Sequence, residues 1–273
     1  MSVIFKPENH QYQSIDSNEK IDWISVTQVL KYFKKPFDPV AQSIKSSKNK
    51  KSKWFGIHPT KIQEIWANEG GRANGTGTFY HDQRESDILG CATIQRCGRD
   101  IPIFKPIYNN GIKHAPDQKL TEGIYPEHFI YLKSAKICGQ SDRVEVIKDY
   151  VDIIDFKTSK KIETESFKNW EGISQKMLGP CAHLDDCNYW HYALQLSIYM
   201  YMILKHNPNL HAGKLTLHHV VFEVERLDEF GYPIIQLDLD NNPVVKEVVP
   251  YDVPYLKNEV RQMIQWLQEN KTK

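Results

Sequence analysis

Two segments with strand-like patterning and a polar pair between them organise the middle of the chain. Residues 136–147 form a strand-like run, and residues 150–157 carry Val151, Ile153 and Ile154 in a nearly continuous apolar run. The second pattern is that of a strand buried on both faces. Lys148-Asp149 predicts a tight turn that folds the two strands together. Upstream, Ser25 or Thr27 is placed to cap a helix through Val29, Leu30, Tyr32 and Phe33 that ends before Pro36. Pro59 predicts the first turn of a helix through Ile62, Ile65 and Trp66, and a helical pattern resumes from Gly71 toward Leu89. Gly75 and Gly77 each weaken that helix by about 1 kcal/mol relative to alanine, so another backbone or a bound partner is expected to approach closely there. Downstream, residues 160–186 are polar and irregular and predict a loop or lid. Residues 189–204 are apolar nearly all round, as a buried helix is. Strands are expected at 215–224 and 234–239, and a closing helix at about 254–269 buries Val260, Met263, Ile264 and Leu267.

The strand ending at residue 157 closes on charge. In a strand alternate side chains share a face, so Asp155 and Lys157 emerge together while Phe156 points the other way. With the turn at Lys148-Asp149, Asp142 comes up on the neighbouring strand, and two carboxylates and an ammonium converge. Carboxylates are the hard ligands that Mg2+ or Mn2+ prefers. An adjacent lysine suits orienting a water and neutralising charge that develops at phosphorus. The triplet alone fits equally well a salt bridge at a strand exit. On the 71–89 helix His81 and Glu85 are four apart and share a face, where an i to i+4 partner would equally account for Glu85. Gln195 is a polar exception on the 189–204 helix and needs partners, either bracing a site or capping unsatisfied backbone.

Five segments extend this picture. Gly75-Thr76-Gly77-Thr78-Phe79-Tyr80-His81 with Glu85, Pro126-Glu127, Gly139-Gln140-Ser141-Asp142, Ile154-Asp155-Phe156-Lys157-Thr158-Ser159 and Gln195-Leu196-Ser197-Ile198-Tyr199 occur in that order. In this the chain resembles the PD-(D/E)xK nuclease superfamily, in the branch of the RecB and AddB nuclease domains, Cas4, the mitochondrial genome maintenance exonuclease and phage-encoded relatives. The resemblance implies an α/β fold, a central mixed sheet flanked by helices with a restriction-endonuclease-like core. It implies that His81, Asp142, Asp155 and the Phe156 carbonyl bind metal, that Lys157 is catalytic, and that Glu127 helps hold metal or water. Gln195 and Tyr199 would support the site and touch the DNA backbone. The implied activity is Mg2+- or Mn2+-dependent hydrolysis of DNA, as an exonuclease on single strands or ends in recombination, repair or replication. A structure-specific endonuclease and a non-cleaving DNA-binding adaptor are the alternatives.

Composition bounds the rest. The chain has 273 residues, 40% hydrophobic, 25% charged and with net charge +1, as for one soluble globular domain; the resemblance implies that it is a single nuclease domain with a helical N-terminal part at about 20–90 and a catalytic core at about 75–225. No secretory signal or 18-residue apolar span is present, and five scattered cysteines fit a reducing compartment, so the cytoplasm of a bacterial or phage-infected cell is expected, with no membrane partner. Cys91, Cys97, Cys181 and Cys187 form two pairs that offer four thiolates, yet their distribution does not match the iron–sulfur relatives. Lys45, Lys48, Lys50, Lys51 and Lys53 precede Trp54-Phe55 and read either as a phosphate track with a stacking platform or as a solvated connector. Lys160 and Lys161, just after the catalytic strand, are placed to meet a scissile strand. No P-loop or helicase signature is present, so action on duplex DNA calls for an end or for a helicase or recombination partner.

Overall fold

A computed structural model describes residues 3–6, 11–15 and 21–271. The chain opens with β1 (Val3–Lys6), β2 (Gln11–Ser14) and the two-residue β3 (Ile24–Ser25). α1 (Val26–Lys31) starts at once, because the Gln28 N–H donates to Ser25 Oγ while the Ser25 N–H donates to Gln28 Oε1, a capping box that satisfies two orphan donors. α2 (Pro39–Lys48) is capped by Asp38. α3 (Pro59–Leu89) runs unbroken for 31 residues, about 46 Å at the helical rise. The two helical segments expected on either side of Gly71 are therefore one. A Cβ at Gly77 would meet Thr158 Oγ1 at 3.0 Å, whereas one at Gly75 would meet nothing within 4 Å. The close approach holds at Gly77 alone, and it is made by a side chain of this chain. Residue 20, where the helical N-terminal part is expected to begin, lies outside the described residues.

Next come β4 (Thr93–Arg96), β5 (Arg99–Pro102), β6 (Ile107–Asn109), β7 (Ile112–His114), β8 (Gly123–Leu132), β9 (Ile137–Ile147) and β10 (Tyr150–Lys157). The turn at Lys148-Asp149 forms as expected, with Lys148 at φ +56°. α4 (Asn188–His206), β11 (His211–Phe222), β12 (Val224–Leu227), β13 (Pro233–Ile235), β14 (Val245–Val253) and α5 (Lys257–Lys271) complete the chain.

The fold is α/β. Its six-stranded sheet has the order β14-β11-β10-β9-β3, with β8 on the other edge of β9. It is mixed, since β10 runs parallel to β11 and β3 parallel to β9 while the other pairs are antiparallel. One face, carrying Val144, Val146, Val151, Ile153 and Leu217, packs against α1, α4 and α5. On the other face α3 brings Tyr80 onto Phe156, Val220 and Phe222. Val260, Met263, Ile264 and Leu267 of α5 are core, as their spacing implies.

The apolar pattern missed elements that bury little. β14 is an edge strand, mostly exposed and interrupted by Pro250, which an edge tolerates because half its donors are unpaired. A separate antiparallel sheet, β2-β1-β7-β6, is made of segments three or four residues long. Residues 160–186 are irregular apart from a short 3-10 turn at Gly179–Cys181. No helix among the described residues is long and apolar enough to cross a membrane.

Candidate metal centre

Strand pairing assembles the centre. β8 and β9 pair with Pro126 opposite Arg143 and His128 opposite Ser141, which sets Glu127 opposite Asp142. β9 and β10 pair as far as Ile154 opposite Arg143, so Asp155 is the next residue toward Asp142 from the other side. Directly opposed residues share a face. Glu127, Asp142 and Asp155 thus form a carboxylate row across three adjacent strands. Glu127 sits at φ +45°, a left-handed conformation that costs a non-glycine residue about 1–2 kcal/mol.

Beyond Ile154, β10 leaves β9, while β3 pairs β9 only at Ile137 and Cys138. Asp142 therefore lies in a fork on that edge. The Phe156 N–H fills part of it by donating to Asp142 Oδ2 at 2.7 Å. A residue's N–H and C=O leave a strand on the same edge, so the Phe156 carbonyl faces the Asp142 side. α3 contributes His81, whose Nδ1 is 3.3 Å from Asp142 Oδ2 and whose ring meets Phe156 edge-on at 6.1 Å.

One donor atom each from His81, Glu127 and Asp142 lies within 4.8 Å of the others. Adjacent ligands of an octahedral Mg2+ stand about 3 Å apart, so this set fits a hard divalent cation after a small closure. Asp155 is not one of the three. Its Oδ2 is 2.6 Å from Lys157 Nζ, and the carboxyl is buried, with the residue only 1% exposed. Lys157 also lies over the Tyr192 ring at 4.8 Å. The pair expected to flank the cation is present, then, with its charge turned inward.

The electrostatics follow from burial beside charge. Burial opposes a charge on His81, but the hydrogen bond and charge of Asp142 outweigh it and raise His81 to about 9. Asp142 is held below the usual carboxylate range: burial works to raise it, and His81, Lys157 and the Phe156 N–H overcome that. Glu127 is pushed up to about 7 by burial and by the Asp142 charge. Asp155 is pushed up to about 6 by burial, against the pull of Lys157. Burial opposes the Lys157 charge, and the two aspartates more than restore it.

Gln195 and Tyr199, one turn apart on α4, share a hydrogen bond and line a cavity of about 410 Å³ with Glu127, Glu85, Gln140 and Lys113. Tyr199 presses on Gly139, where a Cβ would meet its ring at 2.9 Å. Lys113 is the residue that sequence reasoning missed. It is 5% exposed, donates to Gln140 Oε1 at 2.7 Å and lies 3.9 Å from Glu127 Oε2. The signal that would have found it is Asn110-Gly111, both at positive φ, the turn chemistry of a two-residue hairpin. That turn joins β6 to β7 and so places Lys113 on a strand.

The other basic candidates are less central. Lys160 pairs with Glu69 at 3.1 Å and covers the Tyr232 ring, and Lys161 pairs with Glu163 at 3.0 Å. Lys50 and Lys51 are exposed in the turn after α2, and no described contact ties them to the carboxylate row. Trp54 is not a stacking platform: it is 7% exposed, packed with Ile62, Ile65, Trp66, Phe230 and Tyr232. Cys91 and Cys97 are exposed, Cys181 and Cys187 buried, and the cluster of metal-donor atoms includes none of them.

No protein-family profile matches this chain, and no curated protein does. A solved structure described as the crystal structure of SSO0001 aligns over 93% of this chain and 81% of that one, at 13% identity and a TM-score of 0.30, too low to support any argument.

Proposed function

We propose that this protein is a metal-dependent nuclease hydrolysing DNA phosphodiester bonds, as an exonuclease on single strands or ends in recombination, repair or replication. The observation that carries the reading is the His81, Glu127 and Asp142 donor set, within 4.8 Å of one another, beside the pair of half-buried Lys157 with buried Asp155. Hard ligands and a confined ammonium are what phosphodiester hydrolysis needs. The resemblance to the PD-(D/E)xK superfamily, with its restriction-endonuclease-like core, supports the same reading. A bound Mg2+ or Mn2+ supplies Lewis-acid polarisation and charge neutralisation at phosphorus.

His81, Glu127 and Asp142 would hold that ion, with the Phe156 carbonyl facing the same side. Asp155, paired with Lys157, would supply a further carboxylate oxygen to it. Lys157 is confined by Asp155 and by the Tyr192 ring. It therefore orients the attacking water with little loss of side-chain freedom, and its charge offsets the anion forming on the phosphoryl oxygens. Gln195 and Tyr199 offer polar groups to the strand. On duplex DNA the protein would act at an end or with a helicase or recombination partner, in the cytoplasm.

The test is cleavage of end-labelled single strands, matched duplexes and closed circles with Mg2+, Mn2+ or chelator, beside Lys157→Ala. Metal-dependent shortening of linear DNA only, absent in the variant, is the expected result. Cutting of circles makes the protein an endonuclease, and DNA binding without cutting makes it an adaptor. Retained cleavage by Lys157→Ala removes the mechanism.

A further inference from the structure

The carboxylate row carries an ammonium at each end. Lys157 pairs with Asp155 on β10; Lys113 faces Glu127 on β8, held by Gln140 of β9. Lys113 comes from β7, in the small antiparallel sheet outside the central one. Nothing in packing alone calls for a lysine there. Its residue is 5% exposed, and burying an ammonium costs several kcal/mol unless it is paired and hydrogen-bonded. Its described contacts use one N–H firmly, to Gln140, with Glu127 at a longer 3.9 Å and the Tyr108 ring at 5.8 Å. An ammonium has three N–H donors, and the cavity of about 410 Å³ lies alongside.

The order along the row suits an in-line displacement, which puts the attacking and leaving oxygens on opposite sides of phosphorus. Glu127 and Asp155 lie on the outer two of three adjacent strands, with Lys113 against the one and Lys157 against the other. If Lys157 serves the water, the group that serves the leaving oxygen must stand across phosphorus from it.

We propose that Lys113 is a catalytic residue that stabilises and protonates the leaving oxygen, so that the small N-terminal sheet completes the site. This rests on the nuclease reading above. Water forms a new O–P bond and gives up one proton to solvent by way of the Lys157 side. The P–O bond to the leaving group breaks with its electron pair on that oxygen. Lys113 Nζ passes a proton to it, yielding the alcohol, and the amine is reprotonated from solvent. Gln140 is a positioning residue that aims the ammonium.

The experiment compares ordinary DNA with DNA carrying a bridging sulfur in place of the 3′ or the 5′ ester oxygen at one bond, in Mg2+, for wild type, Lys113→Met, Gln140→Leu and Lys157→Met. A thiolate leaves without a proton. We expect Lys113→Met to lose about 100-fold in kcat on the oxygen ester with KM little changed, and to recover to within about 3-fold of wild type on the sulfur ester of the expelled position. Gln140→Leu should show a smaller loss with the same recovery, and it decides the matter if Lys113→Met does not fold. Lys157→Met should stay impaired on both. Equal losses on oxygen and sulfur esters, or no loss, overturn the role of Lys113 while leaving the nuclease reading in place. A wild type that cleaves neither substrate overturns both.

Discussion

Binding of a divalent cation at the His81, Glu127 and Asp142 group must expel protons, and the number can be worked from the site. With His81 raised to about 9 by Asp142, about 99% of it is protonated at pH 7; with Glu127 pushed up to about 7, half of it is. The cation takes only the deprotonated forms, so between one and two protons leave at pH 7, and the His81 share costs on the order of 3 kcal/mol of affinity. The sign is fixed: affinity rises with pH. Between pH 6 and pH 8 the two groups together change it about a thousandfold, and the rise flattens above pH 9. Calorimetric titration with Mn2+ in two buffers of different ionisation enthalpy reads the proton count directly. His81→Asn should lower it by up to about one at pH 7. Wild type and His81→Asn releasing equal numbers of protons, or an affinity flat from pH 6 to pH 8, would refute the assignment of His81 and Glu127 as ligands.

Other expectations follow from the same geometry. Lys157→Met should lower cleavage at least 10³-fold, yet cost only about 1–2 kcal/mol of stability, because Asp155, already pushed up to about 6, escapes an unpaired buried charge by taking a proton; a collapse of the melting temperature would contradict this. Gly75→Ala, which meets nothing, should stabilise α3 by about 0.5–1 kcal/mol with cleavage unchanged. Gly77→Ala should gain less, since its Cβ must displace Thr158 Oγ1 at 3.0 Å, and equal denaturation midpoints for the two variants would remove that contact. Ser197→Ala should cost about 1–2 kcal/mol in urea unfolding, because the fully buried Ser197 Oγ accepts from the Leu256 N–H at 2.9 Å and donates to the Pro254 carbonyl. An unchanged midpoint would mean that water replaces it.

Local signals carried much of the central architecture. The β9 and β10 patterns, the two-residue turn between them, the Ser25 cap and the apolar α4 all depend on contacts within a few residues, which period and turn chemistry report directly. A hairpin with a short turn also fixes its own register, so bringing Asp142 and Asp155 together needed no tertiary knowledge. Among the strands that went unseen, β1 to β7, β12 and β14 are short or exposed and leave no apolar period to detect. The unbroken α3 overrode its glycines because a long helix packed through Ile62, Ile65, Tyr80 and Ile88 draws its stability from burial rather than propensity.

By itself, then, the sequence pointed to most of the residues that could do chemistry, Lys113 excepted, and to the hairpin that pairs two of them. Only the tertiary structure decided that Glu127, from a strand outside that hairpin, takes the third place in the row, that His81 reaches Asp142 from a helix on the opposite face, and that Asp155 is turned onto Lys157. It alone brought Lys113 to the far end. Each of these depends on one strand or helix meeting another across many residues of chain, and a side chain's own segment says which face it is on but not what that face will meet.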